Sequence, residues 1–218
     1  MNKKENALST YIYANGPYPF TKEKTFIIYK INKEDYETIN TIINDIYDNV
    51  EFINYNDFII AFSTEFSNIQ ELFQTFTIDL EYEIIVNEGF KISKNTSGEK
   101  FIEYINYVID SFSKESYSNI IDICMKANNS NKNIISILKE NVLEPIIDRS
   151  DIVDVINMFF KNNLNVSLTS KRVYMHRNSL INKLDRIQKL TNLNIQNFHD
   201  AYTMKILLDA TKNDNKNL

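Results

Sequence analysis

The side chains best equipped for chemistry lie together near the C-terminus, in the run His176-Arg177-Asn178-Ser179, followed by Asn182 and Lys183. They form a set of hydrogen-bond donors with no nucleophile–base pair among them. A guanidinium at the head of a helix can pair with two acceptors on one planar edge, as guanine offers in the major groove. Arg177 is the first candidate for that role, and Asn178, Ser179 and Asn182 share the same region. Ser167, Thr169, Lys171, His176 and Lys183 suit phosphate oxygens, which hold a protein on a duplex without reporting its sequence. Double-stranded DNA is the partner such a set implies. The rest of the chain offers little competing chemistry. The one cysteine, Cys124, lies in the apolar run IIDICM, where a small buried thiol is expected. His176 and His199 are the only histidines. No glycine-rich phosphate loop, zinc-ligand cluster or nucleophile elbow occurs, so neither enzymatic activity, metal nor cofactor is expected.

Three helices must position these residues. Ile152, Val155, Ile156, Phe159 and Phe160 fall at helical spacing on one apolar face. Ser150 is the expected N-cap of that helix. Asn162–Asn165 interrupts the pattern, and a second helix is predicted over Val166–Tyr174 with Asn165 as N-cap and Val166, Ser170 and Val173 inward. Met175 is expected to plug the turn. A third helix begins near Arg177 and turns Leu180, Leu184 and Ile187 inward. A short helix, a tight turn and a helix with a polar leading end make a helix-turn-helix. The same pattern also fits helical bundles that never meet DNA, so a ligand-sensing or protein-interaction module with a degenerate helix-turn-helix is the competing reading. Charge favours DNA. Residues 161–218 carry 10 Lys and Arg against 4 Asp, a local +6 within a chain of net −5. A basic tail on an acidic body suits a polyanion-binding module.

The string NNLNVSLTSKRVYMHRNSLINKLDRIQKLTNLNI resembles the C-terminal helix-turn-helix of the PucR/CdaR family of bacterial regulators. That family's pattern reads roughly N-x-N-V-S-x-T-A-x-x-L-x-V-H-R-N-T-L-x-x-[RK]-L-x-R-I-x-x-L-T-G-L. It is met at Asn165, Val166, Ser167, Thr169, His176, Arg177, Asn178, Leu180, Leu184, Arg186, Ile187, Leu190, Thr191 and Leu193. Ser179 stands for Thr, Lys183 for the basic position, Ser170 for Ala and Asn192 for Gly. Upstream, ENVLEPIID resembles the V-L-G-P-L-L-x-Y-D segment of the family, with Glu144 at its glycine. Downstream, FHDAYTMKILLDA resembles its closing helix. The motif is also similar to that of Fis, which implies Arg177 as the base-reading arginine beside Ser179 and Asn182. Fis-type domains usually carry a further basic residue where this chain has Ile181. The resemblance implies a bacterial transcription regulator, acting as a homodimer. It also implies a degenerate GGDEF-like domain ahead of the helix-turn-helix.

The preceding residues fit an α/β domain. Thr25–Ile31 is a β-type run, and Tyr36, Ile39, Ile42, Ile43, Ile46 and Tyr47 recur at helical spacing. Glu51–Tyr55 and Asp57–Phe62 read as a hairpin about Asn56. Asn68–Phe76 reads as helix and Tyr82–Asn87 as strand. This β-α-β-β-α-β order predicts an α/β sandwich with a sheet of about four strands. Helices are then expected over Phe101–Phe112, Tyr117–Met125 and Ile134–Asp148, the last bent at Pro145. The turn Tyr55-Asn56-Asp57 lacks the glycines and paired acids of a working cyclase. Family members often carry an additional N-terminal sensory domain; with none expected here, an effector, if the protein has one, is expected to bind the α/β domain, or else regulation is expected to come through a partner or the expression level. The aromatics Tyr11, Tyr13, Tyr18 and Phe20 are assigned to core packing rather than to a pocket or a dimer seam.

The fold class expected is therefore α+β. Residues 1–20 are read as an irregular lead-in, 21–115 as the GGDEF-like domain, 116–149 as a helical linker, 150–213 as the DNA-binding domain and 214–218 as a tail. With 43% hydrophobic and 12% aromatic residues the chain can build real cores. It has three glycines and three prolines, which favours long helices over a turn-rich β fold. The heavy use of Asn, Ile and Lys is ascribed to genome composition. The first 16 residues have no apolar signal core, and no run approaches the roughly 20 apolar residues of a membrane helix, so a cytoplasmic protein without membrane contact is expected.

Overall fold

The computed structural model describes residues 3–112 and 117–214. The expected boundary at 115/116, and all of the expected 214–218 tail except residue 214, lie outside them. The chain divides into two compact units, Met1–Ile123 and Cys124–Leu218. The fold is α+β: a mixed sheet with helices in the first unit and helices alone in the described part of the second.

The first unit follows the expected β-α-β-β-α-β order. Strand β1 (Lys24–Lys30) precedes α2 (Tyr36–Ile46), the hairpin β2 (Glu51–Tyr55) and β3 (Phe58–Ser63), α3 (Ile69–Ile78) and β4 (Ile85–Ile92). The sheet has five strands rather than about four, in the order β2-β3-β1-β4-β5. Strand β5 (Tyr117–Asn119) runs parallel to β4, whereas the other pairings are antiparallel. Alternation along β1 explains why both faces are covered. Ile27 and Tyr29 join Ile39, Ile43, Phe73 and Phe76 of α2 and α3 in one core. Phe26, of opposite parity, meets Phe101 of α4 (Gly98–Ser111) at 4.9 Å between ring centroids.

Four expectations for this unit need correction. Residues 1–20 are not simply irregular, because α1 (Lys3–Ala14) packs on α4 and buries Leu8, Tyr11 and Ile12 at i, i+3, i+4 spacing. Of the four N-terminal aromatics, Tyr11 is buried while Tyr13 is 59% exposed and stacks on Tyr55. Strand β4 runs on to Ile92 instead of ending at Asn87. Gly89, which reads as a breaker, is where the strand must be bare: a Cβ there would lie 2.3 Å from the Phe26 ring. The segment from Tyr117 does not begin as helix. Asn119 Oδ1 accepts from the Ile121 backbone N–H at 2.8 Å and Asp122 Oδ2 accepts from that of Asn119 at 2.9 Å. This reciprocal cap starts α5 (Ile120–Ala127) only after the strand.

The chain makes its left-handed corners from asparagine. Among the described residues, Asn15, Asn49, Asn56, Asn68, Asn163 and Asn192 have positive φ, joined by Glu81, Leu164 and Tyr174, while no glycine does. Asparagine tolerates this region through its short polar side chain, so part of its abundance belongs to the fold.

In the second unit the helix expected over Ile134–Asp148 stops short: α6 (Lys132–Val142) ends before Pro145, whose ring cannot continue a helix, and residues 143–148 form turns instead of a bent continuation. Helix α6 packs on α10 (Phe198–Asp214). Cys124 is buried, and burial pushes its thiol up to about 12, which leaves it protonated and inert.

Candidate nucleic-acid interface

Helix α7 (Ser150–Lys161) buries Ile152, Val155, Ile156 and Phe159, the expected face, with Phe160 half-buried. Ser150 is its first helical residue rather than its cap; Arg149 holds that position without a side-chain cap bond. The chain leaves α7 through two left-handed residues, Asn163 and Leu164, and the Leu164 N–H returns to the Phe159 carbonyl at 3.0 Å. Asn165 then caps α8 (Val166–Arg172), its Oδ1 accepting from the Leu168 N–H at 2.9 Å.

Helix α8 is too short to be held by apolar periodicity. It is fixed instead by a buried polar bond: Asn162 Nδ2 donates to Thr169 Oγ1 at 3.1 Å. Thr169 is completely buried, beside Ser170, and Val166 and Val173 are half-buried. Leu168, in contrast, is 41% exposed.

The turn to the next helix closes with the Met175 N–H on the Ser170 carbonyl at 2.9 Å, and Tyr174 takes the left-handed corner with φ of 53°. This is the Schellman pattern, usually built on glycine. Met175 is half-buried, as a turn plug requires. His176 caps α9 (Arg177–Thr191), its Nδ1 accepting from the Asn178 N–H at 3.3 Å. That bond needs a bare Nδ1, so a neutral His176 carries its proton on Nε2, a donor available to an acceptor outside the helix.

Helix α9 is clamped from behind by Leu180, Leu184, Ile187 and Thr191, all buried. Arg177, Asn178, Ser179 and Asn182 are all exposed. At 100° per residue Asn178 and Asn182 stand opposite the buried stripe. Asp185 and Lys189 share their face, which therefore carries one acid below the leading turn. Ile181 is half-buried. The helix ends at Asn192, φ 58°, where the PucR/CdaR pattern has glycine.

This three-helix geometry coincides with a family match: the model described as the PucR C-terminal helix-turn-helix domain covers residues 152–210. These residues are a PucR-type helix-turn-helix domain. Among solved structures, the chain is similar to the crystal structure of a regulator of polyketide synthase expression from Bifidobacterium adolescentis. The identity is 13%, coverage is 96% of this chain and 92% of that one, and the TM-score is 0.44. No curated protein matches the chain.

Within the PucR-type domain the phosphate set divides. Ser167, Lys171 and His176 are exposed. Thr169 is not, and its hydroxyl is spent on Asn162, so its expected phosphate contact is withdrawn. Lys183 Nζ lies 2.8 Å from Asp151 Oδ2 and so is already paired. The Lys183 hydrogen bond holds the Asp151 carboxyl below the usual range, and the charges of Lys183 and Arg149 act in the same direction. Lys183 reaches a phosphate only by leaving that carboxylate. Two exposed residues escaped the sequence reading, Arg172 in the last turn of α8 and Tyr174 in the turn itself. Arg172 could have been found as a cation beside Lys171. Tyr174 carried no signal, since only the backbone shows that the corner belongs to it.

Residues 152–210 hold eight Lys and Arg against four Asp. Among the described residues no helix is long and apolar enough to cross a membrane, and no cluster of metal-ligating side chains occurs.

Proposed function

We propose that this chain is a cytoplasmic, non-enzymatic bacterial transcription regulator that lays the first turn of α9 in the major groove of double-stranded DNA. Arg177 reads a guanine through two acceptors, with Asn178, Ser179 and Asn182 on neighbouring base edges. Ser167, Lys171 and His176 hold phosphates, and Lys183 joins them when its pairing with Asp151 opens. Two copies act together on half-sites about 34–36 Å apart. Input enters through the α/β unit, as an effector or a partner protein. The supporting observation is the combination of a leading turn whose four polar side chains are all exposed with a helix anchored rigidly from behind.

The test is Arg177→Ala. A bidentate arginine–guanine pair carries about 1–3 kcal/mol of discrimination, roughly 5- to 150-fold. The variant is expected to keep its folding midpoint, because Arg177 is exposed, and to lose preference between a selected duplex and a scrambled one at fixed salt. Undiminished preference refutes the assignment. A wild-type chain with no DNA retention even at low salt favours the sensing or protein-interaction module instead.

A further inference from the structure

We infer that Tyr174 is a contact to the DNA backbone, its ring against a deoxyribose and its hydroxyl donating to a phosphate oxygen. The inference rests on the proposed DNA-binding role and adds a residue to it. Two independent observations single out this side chain. The first is exposure: Tyr174 is 97% exposed, the highest value of any large hydrophobic among the described residues, where Phe198 reaches 70% and stacks on Tyr202. Among the described residues, the Tyr174 side chain has no hydrogen bond and no ring contact. The second is backbone conformation. Tyr174 sits at φ 53°, in a region where six of the other eight non-glycine residues are asparagine. A bulky aromatic gains nothing there and is strained by its own Cβ. Folding alone would favour glycine or asparagine at this corner. A residue that serves neither the core nor the turn is best explained by a surface that arrives from outside.

The position indicates which surface. Tyr174 lies two residues before the cap His176 and three before Arg177. A duplex that admits the first turn of α9 to its major groove brings a strand's sugars and phosphates to the groove edge beside that turn. A phenol suits both, with an apolar ring for the sugar and an O–H for the phosphate. Such a contact strengthens binding to every sequence alike.

The experiment uses the full chain, a fluorescent duplex selected by the wild-type protein and a scrambled duplex, at one fixed salt. Binding is compared for wild type, Tyr174→Gly and Tyr174→Phe, with urea midpoints measured beside it. Tyr174→Gly is expected to raise the midpoint, through relief of the left-handed strain, and to weaken both duplexes about three- to tenfold, the range of one net hydrogen bond. Tyr174→Phe is expected to recover part of that loss. Equal affinity of Tyr174→Gly and wild type on both duplexes overturns the inference. So does a midpoint lowered beyond what a glycine's added freedom in the unfolded chain explains, which assigns the ring to the fold, or a loss confined to the selected duplex, which assigns it to base reading. Failure of the wild-type chain to bind either duplex is a different result, since it removes the DNA-binding role itself.

Discussion

Replacing Thr169 with valine separates a structural hydroxyl from a DNA-binding one. The substitution keeps the branched shape and deletes Oγ1, the acceptor for Asn162 Nδ2 at 3.1 Å. Asn162 is 8% exposed and Thr169 not at all, so no water replaces the lost acceptor without a rearrangement. A buried donor left unsatisfied costs about 1–3 kcal/mol. With a urea dependence of about 2 kcal/mol per molar, the unfolding midpoint should fall by roughly 0.5–1.5 M. DNA affinity, corrected for the folded fraction, should not change. A double-mutant cycle sharpens the test: Asn162→Leu with Thr169→Val removes both partners, and the pair should cost less than the sum of the single changes. A Thr169→Val protein that keeps its midpoint but binds a duplex several-fold more weakly refutes this assignment and returns Thr169 to the phosphate set.

Asp151→Asn should release Lys183 to a phosphate, steepening the slope of log affinity against log salt by about 0.9, with little change in stability because the Asp151 end of the pair is exposed. An unchanged slope would show that Lys183 stays off the DNA. Burial raises the Glu88 carboxyl, partly offset by the Tyr117 hydroxyl that donates to it at 2.7 Å. For an acid raised in the folded state, the linked stability is complete below the unfolded value and is lost as pH rises through the folded one. Glu88→Gln should therefore flatten the fall in stability over that window and leave the protein more stable at neutral pH; a pH–stability curve like that of wild type counts against it.

What the sequence disclosed depended on element length. Long amphipathic helices gave themselves away: Ile39 and Ile43 in α2, Phe101, Tyr104, Ile105 and Val108 in α4, and Leu180, Leu184 and Ile187 in α9 all lie buried. The seven residues VSLTSKR of α8 complete only two turns, too few for a period to choose between Leu168 and Thr169 as the inward residue. The choice is made by Asn165 and by the amide of Asn162, groups whose partners are invisible in the string. Strand β5 has three residues and no alternation to detect. Of the site, Arg177, Asn178, Ser179 and Asn182 were legible as exposed polar groups, because the apolar residues behind them are regular. The pairing of Lys183 with Asp151 spans 32 positions and needed coordinates. Among the described residues, Asn56 was legible as a hairpin turn and Asn163 as part of an interruption, whereas the left-handed backbone of Asn49 and Asn68 was hidden, because that residue type is common throughout the chain.

Those asparagine corners also affect the unfolded chain. A glycine at each bend would fit the folded backbone but would leave the denatured ensemble many more conformations to surrender on folding. Removing a glycine at a compatible site is worth on the order of 0.4–1 kcal/mol in that respect. By placing asparagine at six corners and glycine at none among the described residues, this protein accepts slight local strain in exchange for a smaller entropy loss when it orders. Glycine substitutions at these positions should thus relax the bends while widening the denatured ensemble, so their net effect on stability will be smaller than the native geometry alone suggests.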